Sequence, residues 1–158
     1  MLFIGRRGIA VIALALSSCF SLAHAADSGF AGDWAYRDKC KFSHSASVSL
    51  TPAAGGLAGT WSDGTNVDGD SGLVKGVERD GKLYVRFCSE QGEQGGFKKC
   101  PTYSDADDAY LVPEGKDLAW YNRSGTVAEN SFDKYVVLHR KVNGKPVAIE
   151  TKCSADSD

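Results

Sequence analysis

The sequence predicts an all-β protein: an antiparallel up-and-down meander of eight or nine short strands, closing into a small barrel with two disulfides. Three observations carry that expectation. Apolar and polar residues alternate in segment after segment, the period of two that buries one strand face and wets the other. Short turns rich in Gly, Asp, Asn and Pro separate these segments. The strongest is Arg79-Asp80-Gly81-Lys82, because Asp-Gly tolerates the positive φ that a two-residue hairpin requires. No useful length of chain shows 3.6-residue spacing, so no crossover helix is available for parallel pairing, and a meander of this size removes its edges by closing.

Each element follows in order. Phe30, Gly32, Trp34 and Tyr36 alternate with Ala31, Asp33, Ala35 and Arg37, a first strand with an aromatic inner face. Ala46, Val48 and Leu50 form the inner face of a second strand, and Pro52 to Gly56 a turn. Leu57, Gly59 and Trp61 face inward on a third. Asp63 to Gly72 reads as a polar loop, or as a loop with ragged strand ends. Leu73 to Glu78 and Leu83 to Cys88 are the arms of the Asp-Gly hairpin, with Leu83, Val85 and Phe87 on one face and Tyr84, Arg86 and Cys88 on the other. Residues 89–101, with Gly92, Gly95 and Gly96, are too glycine-rich for regular structure, and Phe97 is an apolar residue within them. Tyr110 to Val112 is a short strand stopped by Pro113-Glu114-Gly115-Lys116. Leu118 and Trp120 share the inner face of the next, and Ser124 to Ser131 is a loop. Phe132 to Lys141 is the last long strand, with Val136 and Leu138 opposite Tyr135, Val137 and His139. Asn143-Gly144 is a second hairpin signal, after which Val147 to Thr151 would supply the ninth strand.

The chain ends define the compartment. Arg6 and Arg7, the apolar run Ile9 to Leu16, and Ala23-His24-Ala25 form a secretory signal peptide over residues 1–25, of bacterial type, leaving residues 26–158 as one β-barrel domain. Leu16-Ser17-Ser18-Cys19 offers the alternative of a lipoprotein anchored through Cys19. Neither version includes a transmembrane helix, and both place the protein in the periplasm or beyond. The 158 residues carry a formal net charge of −2; losing two signal arginines makes the mature domain more acidic. That balance argues against nucleic acid, which needs a basic stripe. Four cysteines remain after cleavage, Cys40, Cys88, Cys100 and Cys153, and an even count in a secreted chain points to two disulfides with three possible connectivities. Cys88–Cys100, closing the Gly-rich excursion, and Cys40–Cys153, tying the tail to the first strand, are the favoured pairs. No C-x-x-C or compact Cys/His spacing supports zinc as the alternative.

Gly32-Asp33-Trp34 resembles the G-x-W of lipocalin-type barrels, and Val48 to Trp61 is similar in pattern to the second hairpin of avidin-type barrels. The resemblance covers the first third of the mature chain and implies an eight-strand up-and-down barrel with a ligand cavity at one end. It carries over architecture and no binding residue.

Several constellations invite chemistry. Gly69-Asp70-Ser71-Gly72 is similar to the nucleophile motif of chymotrypsin-type proteases, but His44, in Phe-Ser-His-Ser, lacks the flanks of such a base. Asn66, Asp68 and Asp70 have the one-three-five spacing of a calcium loop, yet Ser71 stands where glycine is expected and Val77 where the closing carboxylate is. Glu78, Glu90 and Glu93 lack the facing arrangement that glycoside chemistry needs. An enzyme is therefore not expected, nor a cofactor or a resident metal.

The expected function is binding. The leading expectation is a periplasmic or secreted protein that inhibits another protein, of the lysozyme-inhibitor or toxin-immunity kind. Asp63, Asp68 and Asp70, with Glu90, Glu93 and Phe97, would meet the partner, the acidic groups favouring a basic one. The alternative is a lipocalin- or avidin-like carrier in which Trp34, Trp61 and Trp120 grip a small apolar ligand. An envelope structural protein with no deep site is the third reading.

Overall fold

The computed structural model describes residues 29–92, 96–142 and 145–153. Eight antiparallel strands follow one another in chain order around a closed barrel: β1 (Gly32–Arg37), β2 (Ser45–Ala53), β3 (Gly56–Gly64), β4 (Gly69–Arg79), β5 (Lys82–Ser89), β6 (Ala109–Glu114), β7 (Asp117–Ser124) and β8 (Ser131–Arg140). The proposed signal peptide, Cys19, the cleavage point before Ala26, Glu93 and Asn143-Gly144 lie outside the described residues.

The alternation written in the sequence becomes the core. Trp34, Val48, Leu50, Trp61, Val74, Leu83, Val85, Phe87, Leu111, Leu118, Trp120 and Leu138 all point inward and are buried. Each indole N–H is satisfied, as buried tryptophan requires. Trp34 donates to the Phe30 carbonyl at 2.9 Å, Trp61 to the Cys88 carbonyl at 3.0 Å, and Trp120 to Asn122 Oδ1 at 2.6 Å. Gly72 is paired with Trp61 and with Ser89, and a Cβ there would stand 2.0 Å from the Cys88 carbonyl oxygen that accepts the Trp61 proton. The large residue and the absent side chain are thus two halves of one contact.

The Asp-Gly hairpin forms as expected: Arg79 pairs with Lys82, and Asp80 and Gly81 take φ of 51° and 71°. Both favoured disulfides form, Cys40–Cys153 and Cys88–Cys100.

Four features differ from the sequence reading. The Asp63–Gly72 loop is mostly strand, since Asp63 pairs with Asp70 and Gly64 with Gly69, leaving Thr65 to Asp68 as the turn. Pro113 does not stop β6, which runs to Glu114. The β5–β6 ladder covers Ala109 to Leu111 alone, so the missing Pro113 N–H costs no bond on that side. Cys88 is fully buried, because its disulfide folds the excursion over it. No ninth strand forms among the described residues. The tail makes one isolated parallel bridge, Glu150 to Asp38. It does so because β1 and β8 pair at just two positions, Trp34–Arg140 and Ala35–His139. Beyond them the Arg37 carbonyl and Lys39 N–H are taken up by Glu150 of the tail, at 2.8 and 3.2 Å, and Cys153 is locked to Cys40 beside this seam.

Candidate functional site

The two ends of the barrel are built differently. One end has three two-residue turns, at Ala54-Gly55, Asp80-Gly81 and Gly115-Lys116. The other carries every long connection, residues 38–44, 65–68, 90–108 and 125–130, and both disulfides. Loops on a rigid scaffold are where recognition concentrates, so this open end is the candidate site.

Its interior begins as a recess of about 310 Å³ with Trp61, Phe87 and Trp120 in its lining and Asp63, Asp108, Asn122 and Arg123 among its polar groups. Phe97 closes one side. It packs edge-on against Trp61 and Phe87 at ring-centre distances of 5.2 and 5.4 Å. The excursion that carries Phe97 is pinned at several points. Ser89 N–H donates to the Lys98 carbonyl at 2.9 Å, Lys99 Nζ to the Glu90 carbonyl at 2.7 Å, and Lys98 pairs with Asp105 at 2.7 Å. Phe97 is therefore a wall of the recess, half-buried, rather than a projecting plug. Asp108 receives the Phe87 N–H at 2.7 Å, and burial raises its carboxyl above the usual range despite that bond.

A clasp of His44, Asp63 and Tyr135 spans the mouth. His44 Nε2 lies 2.6 Å from Asp63 Oδ1, the Tyr135 hydroxyl donates to Asp63 Oδ2 at 2.8 Å, and the same hydroxyl is 3.0 Å from His44 Nε2. The hydrogen bond to Asp63 holds His44 above its ordinary pKa against the opposing effect of burial. Burial, reinforced by Asp63, raises the Tyr135 phenol strongly. Tyr36 packs on His44, donates to Asp38 at 3.1 Å, and is pushed up to about 12 by burial and by that carboxylate. The sequence places Tyr135 on the outer face of β8. A bulge overturns this: Trp120 pairs with Val136 and Tyr121 with Lys134, leaving Tyr135 as the extra residue, re-aimed toward the mouth and 5.9 Å from Trp120. No periodicity signals that position, although His44 two residues before the Ala46-Val48-Leu50 alternation is visible as a strand-entry residue.

The acidic residues singled out in the sequence separate into two groups. Asp63 is held in the clasp. Asp70 sits in β4 with Oδ1 accepting from Ser89 Oγ at 2.8 Å, while Ser89 Oγ receives the Gln91 and Gly92 N–H groups. Asp70 Oδ2 is buried with no partner among the described residues. Asp68 and Glu90 are exposed. Asn66 and Asp68 lie in the turn and Asp70 in the strand beyond it. The Gly69-Asp70-Ser71-Gly72 motif is strand rather than turn. Trp34, Trp61 and Trp120 all face the interior, 2, 5 and 2% exposed, and Trp61 and Trp120 reach the recess while Trp34 is absent from its lining. Among the described residues no group of three or more His, Cys, Asp and Glu is placed to hold a metal ion, and no helix is long and apolar enough to cross a membrane.

Sequence reasoning missed the apolar loop tips. Phe42, Val67 and Val127 are 48, 76 and 62% exposed, each on a different connection of the open end. The Asn66 N–H donates to the Phe42 carbonyl at 2.8 Å, so the first two tips are tied side by side. Their signal in the sequence is an isolated apolar residue inside a polar loop, a feature they share with Phe97. No family model, no curated protein and no solved structure matches the chain.

Proposed function

We propose that the protein binds and blocks another protein through the open end of its barrel, as an inhibitor of a wall-degrading enzyme or an immunity protein against a secreted toxin does. One observation carries the reading: the apolar tips Phe42, Val67 and Val127, each on a separate connection and all at one end. Apolar groups gathered at one end can serve as anchors that an interface desolvates, ringed by a polar rim. Asp68 and Glu90, both exposed, supply the acidic rim that favours a basic partner, while Asp63 and Asp70 act indirectly by shaping the mouth. Two disulfides support residence in an oxidising compartment such as the periplasm or the exterior.

A second reading rests on the recess. Its aromatic lining and polar groups suit one small ring-shaped apolar ligand, and its roughly 310 Å³ falls at the lower end of small-molecule sites.

Immobilised oxidised protein is exposed to periplasmic extract, secreted effectors and a panel of lysozymes. The reading expects a stoichiometric protein complex that Phe42→Ala or Val67→Asp weakens about tenfold or more, the loss of a contact worth ~1.4 kcal/mol. A complex indifferent to substitution at all three tips would refute it. Absence of any protein partner, with tryptophan fluorescence shifting on addition of small ring compounds, would transfer support to the second reading.

A further inference from the structure

The outer wall of the barrel carries a groove separate from the recess at the mouth. On β4 and β5 the outward residues pair as Val77 with Tyr84 and Lys75 with Arg86. Residues 101–108 fold across them, and with the turn following β2 they enclose a groove of about 500 Å³ lined by Lys75, Arg79, Tyr84, Arg86, Tyr103 and Asp107. The covering segment is fixed in place. Ser104 N–H donates to the Phe87 carbonyl at 3.1 Å and Asp108 N–H to the Val85 carbonyl at 2.9 Å. Asp107 ties both Arg79 and Arg86, and its own carbonyl receives two N–H groups of Arg123. Burial works to raise the Asp107 carboxyl, but the two guanidinium groups prevail and hold it below the usual range.

Two guanidinium groups thus hold one carboxylate, and Lys75 adds a third cation to the groove lining, in a chain whose net charge is −2. Arg86 reaches Asp107 through Nε alone, so its two terminal nitrogens have no hydrogen-bond partner among the described residues. Lys75 Nζ has none either, and stands 4.3 Å over the Tyr103 ring. From the groove a row of aromatic side chains continues around the wall, Tyr84 on β5, Tyr110 on β6, Tyr121 on β7 and Phe132 on β8. Tyr84 to Tyr110 is 5.7 Å and Tyr110 to Tyr121 is 4.7 Å between ring centres. Arg79, Lys82 and Arg123 lie over the Tyr84, Tyr110 and Phe132 rings at 4.1, 4.4 and 4.7 Å.

We propose that this wall binds an acidic polysaccharide, with the groove between Tyr84 and Tyr103 seating a carboxylate-bearing sugar. The guanidinium edge of Arg86 and the Lys75 ammonium match a sugar carboxylate. The phenolic hydroxyls of Tyr84, Tyr103, Tyr110 and Tyr121 have no partner among the described residues and serve as donors and acceptors for sugar hydroxyls. A single-stranded nucleic acid fits less well. Base stacking needs open ring faces, and here the faces are already covered by the three cations and by the near-parallel Tyr110–Tyr121 pair, 14° between planes.

Affinity electrophoresis of the oxidised protein tests this, in gels carrying polygalacturonate, neutral dextran or single-stranded oligothymidylate. Retardation by polygalacturonate alone, relieved by about 0.5 M salt as screening shortens, is the expected result. Lys75→Gln with Lys82→Gln should weaken it about tenfold, and this pair leaves both arginine–Asp107 contacts intact. Lys39→Gln with Lys41→Gln, in an open-end connection, should leave retardation unchanged, which separates this site from the protein-binding end. No retardation, equal retardation by dextran, or stronger retardation by oligothymidylate overturns the proposal.

Discussion

Asp63→Asn is the substitution that isolates the clasp at the mouth. It keeps an acceptor for the Tyr135 hydroxyl and removes the charge that faces His44. The side chains of His44 and Asp63 are 20 and 25% exposed, so solvent screens their contact only in part. A charge-assisted hydrogen bond so placed contributes about 1.5–3 kcal/mol. The sign of its pH dependence follows from the raised His44 pKa. A histidine that holds its proton more tightly when folded adds stability in full below its unfolded pKa of roughly 6.5, and loses it as pH rises through the folded value. The other groups around His44 are Asp38, whose charge acts in the same direction, and the Tyr36 and Tyr135 phenols, both raised and so neutral throughout this window. Urea unfolding at pH 5.5 should therefore show the variant destabilised by about 2 kcal/mol, and unfolding at pH 9 by about half as much. In parallel, the His44 titration followed by NMR should fall in the variant, since burial, which lowers it, then lacks its main opponent. Equal destabilisation at both pH values, or a His44 titration unmoved by the substitution, would refute the assigned ion pair.

Three further outcomes follow from the fold. Gly72→Ala would force a Cβ to 2.0 Å from the Cys88 carbonyl; the strands must separate and the Trp61 bond is lost, so thermal unfolding should report a loss above about 3 kcal/mol. Removing Cys40–Cys153, which closes 113 residues, should cost about 4.8 kcal/mol, against about 2.8 for the 12-residue Cys88–Cys100 loop, when each double-serine variant is unfolded in guanidinium. Asp107→Asn should shift the acid limb of stability: a carboxylate held low by Arg79 and Arg86 contributes above the unfolded value of about 3.9 and loses that contribution as pH falls through the folded one. The variant should thus lie well below the parent at pH 6 and approach it near pH 2.

The barrel was legible because its causes are local. Alternation at Ala46-Val48-Leu50 and Leu83-Val85-Phe87 sets the face, and Asp80-Gly81 sets the register of its hairpin. The disulfides were legible because they close stretches whose ends the alternation already placed. The mouth was not, for three separate reasons. A bulge changes the phase of β8 at Tyr135, and no single-residue pattern encodes a two-to-one pairing. Asp63 and Asp70 look like loop acids because polar residues at the end of an inward face break the alternation just where the strand continues. The tail reads as a strand from Val147 and Ile149, but what places Glu150 beside Arg37 is the short β1–β8 seam, a property of two distant segments.

The filled interior shapes what the protein can use for recognition. An eight-strand barrel is at the size where side chains can either pack the inside or leave room for one small ligand. Here Trp34, Trp61, Phe87 and Trp120 take that space together, and Phe97 reaches in from the excursion to cover part of what remains. Recognition by volume is then limited to the recess at the mouth, and recognition by surface must come from what the strands and loops display. The strands display cations and phenols on the β4–β8 side, and the loops display Phe42, Val67 and Val127. These surfaces differ in chemistry as much as in position. Lys75→Gln with Lys82→Gln would weaken a partner on the first and truncation of Phe42 or Val67 a partner on the second, so the two can be told apart without knowing either in advance.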